Sequence, residues 1–135
     1  MGRTIIVWFV VIGAICADVS MSLAGSSTYE CVIKTEYRLE DNGLIVPVPK
    51  DVATSIGDRF MVDQETGRIM GRVTDNKIAK EFRVIQRGDT NLFSVVSTYW
   101  GGTTDYLQIN QFVKTSEKPF LLVFKGFWVH GGTCR

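Results

Sequence analysis

His130 is the only histidine in this sequence of 135 residues, so any chemistry that needs an imidazole converges on it. Its nearest co-ligand is Cys134, in the run His130-Gly-Gly-Thr-Cys134. Two side chains fall short of the three or four N, S or O ligands of a zinc site, and Cys134 has another use, given below. A hydrolytic triad would add a nucleophile and a carboxylate to His130. Serines are present, but no Gly-x-Ser-x-Gly elbow presents one. Paired carboxylates run acid–base chemistry without histidine, and Asp63, Glu65, Asp89 and Asp105 are the candidates. All four fall at expected turns or strand ends, where an acid is ordinarily solvated or caps the turn. Asp63 and Glu65 lack the ligand spacing of a calcium loop. Gly101-Gly102 and Gly131-Gly132 are bare pairs that read as turns rather than as phosphate-cradling loops. The sequence therefore offers no catalytic residue, no metal site and no cofactor site.

Tyr99-Trp100, in front of Gly101-Gly102, is more suggestive. Large aromatics at a hairpin tip stack on a sugar ring or anchor a partner protein; they also serve simply to cover one end of a barrel. Trp128, two residues before His130, offers the same two readings. Tyr99, Trp100 and Trp128 are thus the candidate binding residues, for a protein or glycan partner. Arg59, Arg68, Arg72, Arg83 and Arg87 are interleaved with acids, and fifteen Lys+Arg against fourteen Asp+Glu leave a net charge of +1. That balance reads as a solvated face and argues against nucleic acid or an anionic membrane surface as partner.

The elements that must position these residues are strands. Tyr29, Cys31 and Ile33 alternate with Glu30, Val32 and Lys34, the period of a half-buried strand. Arg59–Asp63 and Arg68–Val73 flank a turn closed by Gly67, and Ile78–Gln86 follows the Asp75-Asn76 turn. Leu92–Trp100 and Thr103–Val113 form the clearest hairpin. A two-residue Gly-Gly loop would set Val95 against Gln108, whereas a three-residue loop sets Val95 against Leu107 and Phe93 against Ile109. Since a one-residue slip swaps faces, apolar matching predicts an odd-numbered loop with a bulge. Pro119–Phe124 and Phe127–His130, around Lys125-Gly126, make a bent strand or a tight hairpin. Pro49 suits a first helical position and Gly57 a stop, which predicts one short helix near 49–56. Seven or eight antiparallel strands with turns every 8–12 residues point to an all-β fold, a small barrel or sandwich. A closed barrel is favoured because closure removes exposed edges.

Residues 1–24 have the parts of a secretory signal. Arg3 is the charged start, Thr4 to Ala17 is an apolar run too short for the ~20 residues of a membrane span, and Ser22-Leu23-Ala24 offers a cleavage site. The expected layout is a signal peptide at 1–24 and one β domain at 25–135. Cleavage leaves no stable membrane anchor, removes Arg3, Asp18 and Cys16, and keeps the net charge at +1. Cys31 and Cys134 remain, and two cysteines in an exported chain read as a disulfide. A closed loop of about 100 residues is worth roughly 4.7 kcal/mol in the loop-entropy model.

Tyr29-x-Cys31, Phe60 to Gly71, Val84, Gly88, Tyr106 to Phe112, Lys118-Pro-Phe120 and Gly132-Thr-Cys134 together resemble a family of short exported proteins of Gram-negative bacteria. The resemblance spans nearly all of residues 25–135. It implies a periplasmic or secreted setting; the family has no assigned activity, so no catalytic or binding residue carries over. A looser similarity, of size and cystine layout, is to the periplasmic lysozyme inhibitors, whose inhibitory motif is not found here. The expectation for function is a non-enzymatic binding or structural module of the bacterial envelope, without cofactor. The alternative is an inhibitor of an extracellular hydrolase acting through the Tyr99–Thr104 loop. A lysozyme is strongly basic and would reward an acidic face, which this charge balance does not supply.

Overall fold

The computed structural model describes residues 27–88 and 91–135; the expected signal segment, Cys16 and Asp89 lie outside them. Nine strands make one antiparallel sheet: β1 (Thr28–Leu39), β2 (Ile45–Pro47), β3 (Arg59–Asp63), β4 (Ile69–Gly71), β5 (Glu81–Arg87), β6 (Leu92–Thr98), β7 (Thr104–Asn110), β8 (Lys118–Phe124) and β9 (Trp128–Cys134). The order is β4-β3-β1-β9-β8-β7-β6-β5, with β2 on the upper half of β1. The fold is all-β, as the alternation implies. The strand that the alternation did not mark is β2, only three residues long; β4, equally short, lies within the expected Arg68–Val73 run.

Period two buries one face of each strand. Tyr29, Cys31 and Ile33 of β1, Phe60 and Val62 of β3, Phe93 and Val95 of β6, Leu107 and Ile109 of β7, and Phe120 and Leu122 of β8 fill the concave side. The sheet curls until distant strands touch through this core. The Tyr29 and Phe93 rings lie 5.2 Å apart, and those of Phe60 and Phe120 meet edge-on at 5.2 Å. The interior is thus packed with side chains.

Curling stops short of the favoured closed barrel. Among the described residues no ladder joins β4 to β5, and the sheet is a half-barrel. In place of a ladder, Asn76 of the 72–80 connection ties this side together with side-chain hydrogen bonds. Its Oδ1 accepts from the Ile69 amide at 2.8 Å, its Nδ2 donates to the Gly67 carbonyl at 2.9 Å and to Ser97 Oγ at 3.2 Å, and its own amide bonds to Ile69 O. One buried side chain thereby meets backbone groups along β4 and reaches across to β6.

The β6–β7 register is the one that apolar matching predicts: Val95 faces Leu107 and Phe93 faces Ile109. Tyr99 N–H donates to Thr103 O, Gly102 N–H to Tyr99 O, and Gly102 takes φ +81°, the three-residue loop with a left-handed glycine. Lys125-Gly126 opens a tight hairpin in which Phe124 faces Trp128. Gly131 and Gly132 do not form a turn; they lie inside β9. A Cβ on Gly132 would fall 2.0 Å from the Val32 carbonyl oxygen and 2.7 Å from the Phe120 ring, so only glycine lets these strands close. The short helix expected near 49–56 is also absent. Val52 and Ala53 both donate to the Pro49 carbonyl, one turn's worth. The Ser55 amide is then taken by Glu36 Oε2 at 3.2 Å, which ends helical bonding.

Cys31 and Cys134 are directly opposed on β1 and β9 and joined as a disulfide across a separation of 103 residues. Structural disulfides belong to oxidising compartments. Among the described residues no helix is long and apolar enough to cross a membrane.

Candidate functional site

Where β6 meets β7 and β8 meets β9, two hairpin tips rise at one end of the half-barrel, and the 72–80 connection ends beside them. An open cleft of about 600 Å³ lies between these three segments, with Tyr99, Thr103 and Asp105, Phe124, Lys125 and Phe127, and Arg72 and Ile78 on its walls. Ile78 is 76% exposed and Phe127 43%. Apolar side chains left this open beside a packed core make the cleft the candidate binding surface.

Of the candidate residues read from the sequence, Tyr99 lines the cleft. Trp100 follows it at the hairpin tip, 80% exposed, with the Lys80 ammonium 5.5 Å from its ring. Trp128 does not line the cleft; half-buried, it lies against Phe127 at 5.6 Å between ring centroids. The carboxylates part company. Asp63 is at the opposite end of the sheet, accepting from the Glu65 and Thr66 amides and the Thr66 hydroxyl, a turn cap. Glu65 is exposed in that turn. Asp105 is not solvated as its strand-end position implied; it is buried, opposite Ser97, and accepts the Lys125 amide at 2.8 Å. A turn twenty residues away claims it, which local sequence does not reveal.

Asp105 also sets the state of Tyr99. Burial, then the negative charge and hydrogen bond of Asp105, push the Tyr99 hydroxyl well above its ordinary value, so it stays a neutral donor. Asp75 is held below the usual carboxylate range, chiefly by its hydrogen bond to Arg68, the two lying 2.8 Å apart. Arg72 is paired with Asp58 at 2.5 Å and donates to the Thr54 carbonyl.

Below the Phe124 wall is a polar pair that sequence reasoning missed. His130 and Glu36 face each other across β9 and β1, both buried, with Nε2 3.9 Å from Oε1. Among the described residues neither imidazole nitrogen has a hydrogen-bond partner, and burial lowers the pKa of His130. The Phe124 ring covers it at 6.0 Å, so the imidazole forms no part of the cleft wall. Ile78, Lys125 and Phe127 were missed as well. The signal in the sequence was a large apolar residue next to each of two turns.

No protein-family model, curated protein or solved structure matches this chain.

Proposed function

We propose that this chain is a non-enzymatic binding module of the bacterial envelope, exported by its first segment and engaging its ligand or partner at the cleft between the Tyr99 and Lys125 hairpins. The observation that carries the reading is that Ile78 and Phe127 stand exposed on the walls of one cleft, with the exposed Trp100 on the hairpin tip next to Tyr99, which lines it. The disulfide and the resemblance to exported bacterial proteins support the setting. Two of the side chains that could run hydrolysis are engaged otherwise: His130 lies under Phe124, and Asp105 holds a turn.

The test is capture of partners from envelope extracts by the purified protein and by Ile78→Ser and Trp100→Ala variants. Capture lost in both variants supports the reading; capture unchanged in both refutes the cleft. Turnover in a broad glycosidase and esterase panel, abolished by Asp105→Asn, would refute the non-enzymatic assignment. The exposure of Trp100 at a protruding tip favours one second reading, an inhibitor of an extracellular hydrolase. Such an inhibitor would slow its target enzyme, and Trp100→Ala would relieve the inhibition.

A further inference from the structure

Resting on that cleft, we propose its ligand class: a molecule with one carboxylate on an apolar body, the carboxylate received by Lys125. Four charged residues line the cleft: Arg72, Asp75, Asp105 and Lys125. Arg72 is paired with Asp58, and Asp75 with Arg68. Asp105 is buried, accepts from the Lys125 amide and acts on the neighbouring Tyr99 hydroxyl. Among the described residues, no acid lies within ion-pair distance of the Lys125 ammonium, which rests 4.9 Å from the centre of the Phe124 ring. The one solvent-facing charge left without a counter-charge is therefore cationic. A cationic ligand would find no open acid there. A neutral glycan would find both carboxylates already occupied.

Lys125 is also the one non-glycine described residue with a positive φ, +52°. A side chain in that region is strained, which glycine would avoid. Here a lysine stands, and the buried Asp105 carboxylate fixes its amide. The turn backbone directs the side chain from a fixed point, and the contact with the Phe124 ring lays the ammonium against the cleft wall. Val73, Ile78, Phe124 and Phe127 supply the apolar walls, beside which an ion pair is stronger than in bulk water.

The shared chemistry has two sources, a free fatty acid or the C-terminus of a peptide ending in an apolar residue. The experiment is an amide NMR titration of the purified protein with octanoate against octanamide, and with acetyl-Val-Phe acid against its amide. The expected result is binding of at least one acid about tenfold or more tighter than its amide, with shifts centred on Thr103, Lys125 and Phe127. The preference is expected to vanish in Lys125→Gln and in Lys125→Asn, asparagine tolerating positive φ, and to persist in Lys125→Arg. Tighter binding confined to octanoate supports the fatty-acid source; confined to the peptide acid, the C-terminal source. Equal affinity for acid and amide at the cleft overturns the carboxylate while leaving the cleft standing, as does a preference that survives both neutral variants. Absence of binding by all four probes overturns the ligand class, and capture dependent on Ile78 and Trp100 then decides the cleft separately.

Discussion

Asn76 and Ser97 are joined by a 3.2 Å hydrogen bond across the open side of the sheet, between the connection that leaves β4 and the second strand from the opposite edge. Asn76 is 1% exposed, and most of its bonds run to main-chain groups of β4 or of the turn before it. A buried group left without its partner costs about 1–3 kcal/mol, and Asn76→Ala strands the Ile69 amide and the Gly67 carbonyl together. We expect a loss of about 2–4 kcal/mol in urea unfolding. Ser97→Ala should lose about 1 kcal/mol. An Asn76→Ala loss no larger than that of Ser97→Ala would mean that the open side is held by something else.

The cystine joins strands that are already neighbours, yet the neighbours are 103 residues apart in the chain. Its removal frees the unfolded chain most of all. Cys31→Ala/Cys134→Ala should lower stability by about 2–5 kcal/mol with the sheet retained, read by urea unfolding and far-UV circular dichroism.

His130 makes stability depend on pH in a definite direction. Burial lowers its pKa in the folded protein, against about 6.5 unfolded. Glu36 faces it from β1, Asp58 acts in the same sense as Glu36, and Phe124 covers it from β8; both acids oppose the shift without reversing it. Below pH 6.5 the unfolded chain takes up a proton that the folded protein refuses, so stability falls as pH drops from 7 towards 5. His130→Gln, neutral throughout, should flatten that slope. A slope unchanged by the substitution would assign it to other groups.

Tyr99 should be the last tyrosine to ionise. Burial and the neighbouring Asp105 charge together hold its hydroxyl up, whereas Tyr29 is raised by burial, so alkaline ultraviolet titration should show two late phenolates with that of Tyr99 the last. Asp105→Asn removes the charge and should bring the Tyr99 phenolate earlier.

Much of the sheet was legible because it depends on neighbours in sequence. Val95 against Leu107 follows from alternation and from a loop too short to allow the other face. The segment at 49–56 was misread because Glu36, nineteen residues before Ser55, captures the amide a helix would need. Of the site, Tyr99 and Trp100 were visible as large aromatics beside a glycine pair. Lys125 and Asp105 were not, because one carboxylate reaching a turn on another hairpin appears only once the strands are laid side by side. The pairing of His130 with Glu36 needs β9 to settle against β1, which no local pattern specifies.

That settling has a kinetic consequence. β9, the last of the nine strands to be synthesised, fills an internal position between the first strand and β8. β1 finds β2 and β3 early, but its other edge stays open until Trp128 to Cys134 have been made, about a hundred residues later. Contacts so distant along the chain form slowly. In any chain made from its N-terminus, Cys31 must therefore stay unbridged until β9 has been made, so the cystine seals the sheet late and does not guide its start.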